Sequence, residues 1–314
     1  MAQEFAIGID LGGTQIRAAL VSASGEILQR IAMPTPVDEG PLAVLAKLHE
    51  AAVRVAGVHD VSEAKGIGVA CPGPLDTKAG IALGIPTLPG FVDFPIGLKL
   101  NELFGRDVSL AHDGIAAAVG EWRFGSAKGC GSFVYVTVST GIGGGVVSGG
   151  RVVHGRKGMA GHIGHMTVVK DGVLCNCGRR GCWEAYASGP ALERRAAEQL
   201  RDRHDSALSK DDVPVTAKAI FEAAAQGDGL AQALVAEEAE FLGVGIVDLL
   251  HVFDPQCVVL GGGISHRYDQ LCGGITRVVL ETAMPAFRDI PVLRAKHIGN
   301  SGLIGAAAIA LREV

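Results

Sequence analysis

One imidazole and three thiols sit close together along the chain, in Gly164-His165 and then in Cys175-Asn-Cys177-Gly-Arg-Arg-Gly-Cys182. Soft donors at such short spacing suit a tetrahedral zinc ion in a closed structural site, with no open position for a catalytic water. The alternative is three unrelated buried thiols beside a chance histidine, and the tight spacing with interleaved glycines argues against it. A redox role would need a Cys-x-x-Cys pair, which the run lacks. Zinc here would pin a loop.

Two other stretches share a second design, an apolar strand entering a glycine-rich turn and leaving directly as another apolar strand. The first is Phe5-Ala-Ile-Gly-Ile-Asp10-Leu-Gly12-Gly13-Thr14 followed by Gln15-Ile-Arg-Ala-Ala-Leu20. The second is Phe133-Val-Tyr-Val-Thr-Val-Ser139-Thr140-Gly141-Ile-Gly143-Gly144-Gly145 followed by Val146-Val147. Each reads as a hairpin whose tip offers backbone N–H groups to an oligophosphate, with the hydroxyls of Thr14 and Thr140 as further donors. Ordinary tight hairpins are the plain alternative. A Walker loop would end in Gly-Lys-Ser/Thr, and a dinucleotide fingerprint would be followed by a helix; neither occurs here. Two such grips suggest a nucleotide clamped between two lobes.

Two carboxylates complete the chemistry. Asp113 falls where a strand ends and a helix begins, a position at which aspartate serves as a helix N-cap. A clamp on ATP phosphates also needs a carboxylate to orient an acceptor hydroxyl and take its proton, and capping does not prevent that. Asp10, inside the first glycine turn, is suited to hold Mg²⁺ through water, because hard oxygens suit that ion.

The elements that must position these groups follow from periodicity. Residues 4–33 read as strands and turns, with a turn at Ser24-Gly25-Glu26. A helix is expected from about 41 to 56 with Leu42, Leu45, Leu48, Ala52 and Val55 on one stripe. The strand Gly66-Ile-Gly-Val-Ala70 ends in Cys71-Pro72-Gly73-Pro74, at a strand's carboxyl end, where open α/β sheets place ligands. A proline-rich loop over 85–95, a short helix over 95–104 and a strand over 108–111 lead to His112-Asp113 and an alanine-rich helix over 114–122. Helices are expected at 189–203, 216–226 and 229–252, with a polar loop over 201–214. A strand over 257–260 then runs into Gly261-Gly262-Gly263, and a last apolar helix covers 302–311. The reading is an α/β chain of two lobes: a small amino-terminal lobe over 1–119, with the carboxyl-terminal helix in 300–314 packing back on it, and a larger lobe over 120–299 that carries the zinc site.

The chain has 314 residues, 48% of them hydrophobic, enough for two cores. Its 45 glycines fall at strand ends without a repeat, so they read as turns and ligand loops. A net charge of -5 offers no basic surface for nucleic acid or an acidic membrane, and the expected partner is a small molecule. The amino terminus lacks a secretion signal, and no apolar run is long enough to span a bilayer. Seven cysteines, an odd count with a tight cluster, fit a reducing compartment and a metal site. A cytoplasmic protein is expected.

Taken together, Asp10-Leu-Gly-Gly-Thr14, His112-Asp113, Thr140-Gly-Ile-Gly-Gly-Gly145, Gly161-His-Ile-Gly-His165, the cysteine run and Gly261-Gly-Gly263 resemble the ROK family of bacterial sugar kinases, repressors and open reading frames. The resemblance covers nearly the whole chain. It implies an actin-like ATPase, ribonuclease H-like fold with an interlobe cleft, and ATP-dependent phosphorylation of a hexose at its 6-hydroxyl. Repressor members carry an additional amino-terminal helix-turn-helix, whereas this sequence starts at the ATPase strand, so the kinase branch is expected. The resemblance further implies Asp113 as catalytic base, and His165 as a ligand shared by zinc and sugar. Glu184 is implied as a sugar-hydroxyl acceptor, and Gly73 and Pro74 as the sugar loop. Cys175, Cys177 and Cys182 complete the zinc set. Gly12, Gly13, Thr14, Thr140, Gly141 and Gly143 face the phosphates, Gly262 and Gly263 the adenosine. A homodimer is implied as well.

Three positions depart from the family pattern. His112-Asp113-Gly-Ile115 stands for Asn-Asp-x-Asn, His162 for Glu, and Thr87-Leu88 for Asn-Leu. The Asn ahead of the aspartate and the Glu normally touch sugar hydroxyls. Imidazoles there remove an acceptor charge and change donor geometry, which bears on which hexose fits. The leading reading is a glucokinase-like kinase. N-acetylmannosamine, N-acetylglucosamine or another hexose is the nearest alternative, and a sugar-sensing regulator without turnover is the rival from a different class.

Overall fold

The computed structural model describes residues 4–201, 205–209 and 214–311. The part of the 189–203 helix past Arg201, residues 202–204 and 210–213 of the 201–214 loop, and residues 312–314 of the tail lie outside the described residues. The chain begins with β1 (Phe5–Leu11), β2 (Gln15–Ser22), β3 (Ile27–Pro34), α1 (Pro41–Ala56) and β4 (Ile67–Cys71). Short strands β5 (Leu75–Asp76), β6 (Ile81–Leu83) and β7 (Val92–Phe94) precede α2 (Ile96–Phe104), β8 (Val108–His112) and α3 (Asp113–Phe124). Then come β9 (Phe133–Val138), β10 (Ile142–Ser148), β11 (Arg151–Val152), α4 (Glu184–Ala187), α5 (Gly189–Leu200), α6 (Ala217–Ala225) and α7 (Gly229–Phe253). The last elements are β12 (Val258–Gly261), α8 (Tyr268–Thr282), β13 (Val292–Arg294) and α9 (Ser301–Ala310).

Contacts divide the chain into two units. The first is Met1–Gly131, Gly145–Gly161 and Gly299–Val314; the second is Ser132–Gly144 and His162–Ile298. This division differs from a boundary at 119/120 because α3 lies along α9. Gly120 has room for no side chain, since a Cβ there would stand 3.0 Å from Gly305 N, and Ser301 Oγ donates to Glu121 Oε1 at 2.8 Å. Trp122 Nε1 donates to Cys130 O at 2.8 Å and holds the next turn to the same helix. Residues 145–161 return to this unit, where Gly145 packs on α3, within 2.8 Å of Gly114 O for a built Cβ.

The first sheet has the order β3-β2-β1-β4-β8. β1 pairs antiparallel with β2, setting Asp10 opposite Arg17, and parallel with β4, setting Asp10 beside Ala70. β4 and β8 are parallel with Cys71 beside His112. β1 alternates by period two. Ile7, Ile9 and Leu11 join Leu48 and Val55 of α1 in one core, while Ala6 packs with Leu303 and Ala307 of α9 on the other face. That second face is built from small residues because α9 lies against the sheet almost backbone to backbone. A Cβ on Gly68 would be 2.6 Å from Ala306 C.

In α1 the buried stripe is Val44, Leu45, Leu48, Ala51, Ala52, Val55 and Ala56, whereas Leu42 is 69% exposed. Steps of three residues drift by roughly 60° around a helix, so the expected stripe from Leu42 through Leu48 walks out of the core at its first member. The proline-rich stretch, expected as a bare loop, contributes β7 to a three-stranded sheet of order β5-β6-β7.

The second five-stranded sheet has the order β11-β10-β9-β12-β13, repeating the plan of the first. β9, β12 and β13 are parallel, with Thr137 beside Gly261 and Val258 beside Val292. Trp183 is fully buried in this unit, its Nε1 donating to Phe241 O at 2.7 Å, and Gly245 of α7 leaves space for its ring. Among the described residues no helix is long and apolar enough to cross a membrane.

Arg195 of α5 meets two adjacent carboxylates of α7, Nη2 to Glu238 Oε2 at 2.6 Å and Nε to Glu237 Oε2 at 2.9 Å. One guanidinium cannot neutralise both. Burial pushes the fully buried Glu238 carboxyl up from 4.5 to about 7 against the pull of Arg195, and Glu237 adds to the rise. A group whose folded pKa is raised contributes stability that is complete below its unfolded value and is lost as pH climbs through the folded one. The stability of the parent chain relative to Glu238→Gln is therefore expected to fall as pH rises from 4.5 to about 7. Urea unfolding of both proteins on either side of that window measures it, and a pH-independent difference would refute the assignment.

Candidate functional site

In the first unit the groups gather at the carboxyl ends of β1, β4 and β8. Gly12 N donates to Gln15 O at 2.9 Å to close the first glycine turn, and Thr35 Oγ1 donates to Gly12 O at 2.7 Å to brace it from β3's far end. Gly13 and Thr14 stand at the tip, and a Cβ on Gly13 would meet Thr87 at 2.7 Å. Thr87, where the family pattern has Asn, is thus a direct neighbour of the turn. Asp10 is buried and ion-paired with Arg17 across the hairpin. Burial raises the Asp10 carboxyl above its ordinary value, opposed by Arg17 and reinforced by Asp113. Arg17 escaped the sequence reading, although hairpin register about the Gly12–Thr14 tip places it opposite Asp10.

Cys71 closes β4, and burial pushes its thiol far up, so it is an inert apolar wall below Pro72-Gly73-Pro74. The 73–74 peptide is cis. His112 and Asp113 follow at the end of the adjacent strand. His112, not Asp113, is the N-cap residue of α3; Asp113 is the first helical residue. Its Oδ1 accepts from Gly114 N at 2.6 Å and lies 3.3 Å from His112 Nδ1. The His112 side chain is 8% exposed and that of Asp113 47%. With the capping position held by its neighbour, the aspartate keeps an oxygen for other work.

In the second unit the glycine turn after β9 and the turn after β12 share one sheet edge, as the parallel pairing of Thr137 with Gly261 requires. Ser139 N donates to Gly141 O at 2.9 Å. Gly262 has φ 82°, a left-handed conformation, and a Cβ there would be 2.6 Å from Val138 N; only glycine fits. Gly263 borders Ser139 Oγ, at 3.5 Å for a built Cβ. Gly143 is half-buried, with only Thr137 Cγ2 near its missing side chain, at 3.6 Å.

The donor atoms of His165, Cys175, Cys177 and Cys182 all lie within 4.8 Å of one another. His165 Nδ1 is 3.8 Å from Cys175 Sγ, and Cys177 Sγ is 3.6 Å from Cys182 Sγ. Tetrahedral zinc with roughly 2.3 Å bonds to sulfur sets sulfurs about 3.8 Å apart, so the spacing fits that ion. Burial and the adjoining thiols push Cys182 up to about 12, and burial also raises Cys175. Cys177 is drawn down despite burial by the Arg179 backbone N–H and its thiol neighbours. Three thiols this close resist joint ionisation, and a divalent cation removes the obstacle.

Beside the cluster, the His162 and His165 rings stack at 6.3 Å between centroids. Glu184 Oε2 accepts from Ile142 N at 2.9 Å, and its Oε1 lies 3.8 Å from Cys175 Sγ. The link between Glu184 and the glycine turn was not legible beforehand, because 42 residues separate its ends.

Two sheets of the same order, each with a glycine turn at one strand end and a helix-borne carboxylate or glycine turn beside it, define an actin-like ATPase fold. The chain belongs to the ROK family, whose model matches residues 6–313. It is 35% identical to the glucokinase of Thermotoga maritima, over 96% of each chain. It is 36% identical to the N-acetylmannosamine kinase of an Escherichia coli strain, over 98% of each. The ROK family glucokinase of Streptomyces griseus, solved with glucose and AMPPNP, superposes with a TM-score of 0.87 at 34% identity, covering 99% of this chain and 100% of the other.

Proposed function

We propose that this chain transfers the γ-phosphate of ATP to the 6-hydroxyl of a hexose. Full-length similarity to glucokinase and N-acetylmannosamine kinase supports the reaction class. The observation that carries the assignment of residues is the half-exposed Asp113 carboxylate at the end of β8, level with the sugar loop that ends β4. In this reading Asp113 takes the proton from the attacking hydroxyl, which leaves the alcohol oxygen free to bond to phosphorus. Gly73, Pro74, His112, His162, His165 and Glu184 hold the sugar. Backbone N–H groups at Gly12, Gly13, Thr14, Thr140, Gly141 and Gly143 hold the phosphates, and Gly262 with Gly263 receives the adenosine. Asp10, with Arg17 on its Oδ2, has Oδ1 to offer a water of hydrated Mg²⁺. That ion, when bound, neutralises charge on the transferring phosphoryl. Zinc on His165 and the three cysteines is structural. The same reading includes a cytoplasmic homodimer with no nucleic-acid or membrane partner.

Preference among hexoses rests on His112 and His162, whose imidazoles replace an amide and a carboxylate and so remove an acceptor charge and change the donor geometry. Coupled detection of ADP release over glucose, mannose, fructose, allose, N-acetylmannosamine and N-acetylglucosamine tests the proposal. One sugar is expected to exceed the poorest by at least about 100-fold in kcat/KM, because a site built around particular hydroxyls rejects analogues that leave its polar groups unpaired. Sugar binding without ADP release from any of them would overturn it in favour of a sensor.

A further inference from the structure

The Ile142 peptide, in the second glycine turn, is gripped from two directions by residues adjoining the metal cluster. Its N–H donates to Glu184 Oε2 at 2.9 Å, and Glu184 stands two positions beyond Cys182 in the Cys182-Trp-Glu run. Ala185 N donates to Cys182 O at 2.9 Å, which ties the start of α4 to that cysteine. From the other direction Gly164, the immediate neighbour of His165, lies so close that a Cβ on it would stand 2.8 Å from Ile142 C. Gly141 in turn must lack a side chain, because a Cβ would be 2.5 Å from Glu184 Oε2. Close contacts therefore run from the turn to both of the segments that carry the donors.

We infer that metal loading of the His165, Cys175, Cys177 and Cys182 cluster sets the position of the 140–143 turn, with Glu184 as the positioning residue. Trp183 N donates to Met166 O at 2.8 Å and Arg179 Nη1 to His165 O at 3.2 Å between the 162–166 and 175–184 segments, but the donor side chains themselves are joined across them only by a 3.8 Å contact of Cys175 Sγ with His165 Nδ1, and the ion adds the bonds that fix them. Fixing both segments fixes both sides of the Ile142 peptide. The turn's N–H groups then point where a phosphate can use them without reorganisation, and preorganised donors bind more tightly than mobile ones. The metal thus acts on nucleotide affinity at a distance from the nucleotide, through one carboxylate and one glycine. This step rests on the proposed nucleotide role of the turn.

Amide hydrogen exchange on the full chain tests it, comparing zinc-loaded protein with protein stripped by a chelator and then with zinc restored. The Ile142 and Gly143 amides are expected to exchange at least about 10-fold more slowly with zinc, equal to roughly 1.4 kcal/mol of local opening, while α8 stays unchanged. In zinc-loaded Glu184→Ala the Ile142 amide should exchange at the stripped rate, and Glu184→Gln, which keeps an acceptor oxygen, should restore most of the protection. Equal exchange with and without zinc in the parent chain overturns the inference, and that arm needs no variant to fold. Binding of a non-hydrolysable ATP analogue with Mg²⁺ is expected to weaken about 10-fold on stripping, and equal affinity would also overturn it. Failure of both forms to bind the analogue refutes the nucleotide role instead, while the exchange comparison still decides the coupling.

Discussion

Asp113→Asn is expected to lower kcat by roughly 1,000-fold while sugar and nucleotide affinities stay within a few-fold of the parent, the range expected when a general base is removed from a preorganised site. The substitution is nearly isosteric. The introduced carboxamide would keep an oxygen to accept the Gly114 N–H that Asp113 Oδ1 accepts at 2.6 Å, so the start of α3 should not change. It would also keep an acceptor near His112 Nδ1, now at 3.3 Å. What disappears is the capacity to take a proton from an alcohol. A purely structural Asp113 would give the opposite signature, an altered melting temperature with turnover little affected. Steady-state kinetics beside binding calorimetry separates the two, and a kcat within about tenfold of the parent would remove Asp113 from its assigned role. The residual rate in the variant would measure what positioning alone contributes.

The parts of the site that were legible in the sequence are those whose determinants are local. His165 and the three cysteines fall in one short run, and the geometry of four donors within 4.8 Å follows from that run folding back on itself. Glycine turns flanked by apolar strands announced both hairpins, because glycine and alternation act over a few residues. The parts that were not legible depend on distant segments. Asp113 was assignable to the helix start but not to a position inside it, since the choice of His112 as N-cap is made by how β8 delivers the chain. The division at 119/120 ended the first lobe within α3 while expecting the carboxyl-terminal helix in 300–314 to pack back on that lobe. In the structure α3 is a central element of the first unit, covered by α9 from the far end of the chain and by the strand after Gly145. β5, β6 and β7 were hidden because strands of two or three residues carry too short a pattern to show a period.

The helix that makes α3 central also makes Gly305 the most demanding position in the fold. A Cβ there would be 2.5 Å from Ala116 C and 2.9 Å from Gly120 N, both backbone atoms of α3. Neither can yield by rotating a side chain. Accommodation requires α9 to lift from Gly120 of α3, from Gly8 of β1 and from Gly68 of β4 together, because all three glycines face α9's backbone. Ordinary overpacking costs about 1–3 kcal/mol, and a rigid backbone-to-backbone clash shared by four elements should exceed it. Gly305→Ala is therefore expected to destabilise by at least about 3 kcal/mol, and Gly305→Val to abolish folding. Gly273 in α8 provides the control, since a Cβ there meets nothing within 4 Å. Gly273→Ala should stabilise by about 0.5–1 kcal/mol through the lost backbone freedom of glycine in the unfolded chain. The same substitution in two helices should thus move the urea midpoint in opposite directions, and a Gly305→Ala protein as stable as the parent would refute the packing argument. The effect reaches the site as well. Gly302, at the start of α9, sits with its missing Cβ 3.7 Å from Asp10 Oδ2. Any Gly305→Ala chain that still folds with α9 displaced should therefore lose Mg²⁺-dependent nucleotide binding before it loses its helical signal.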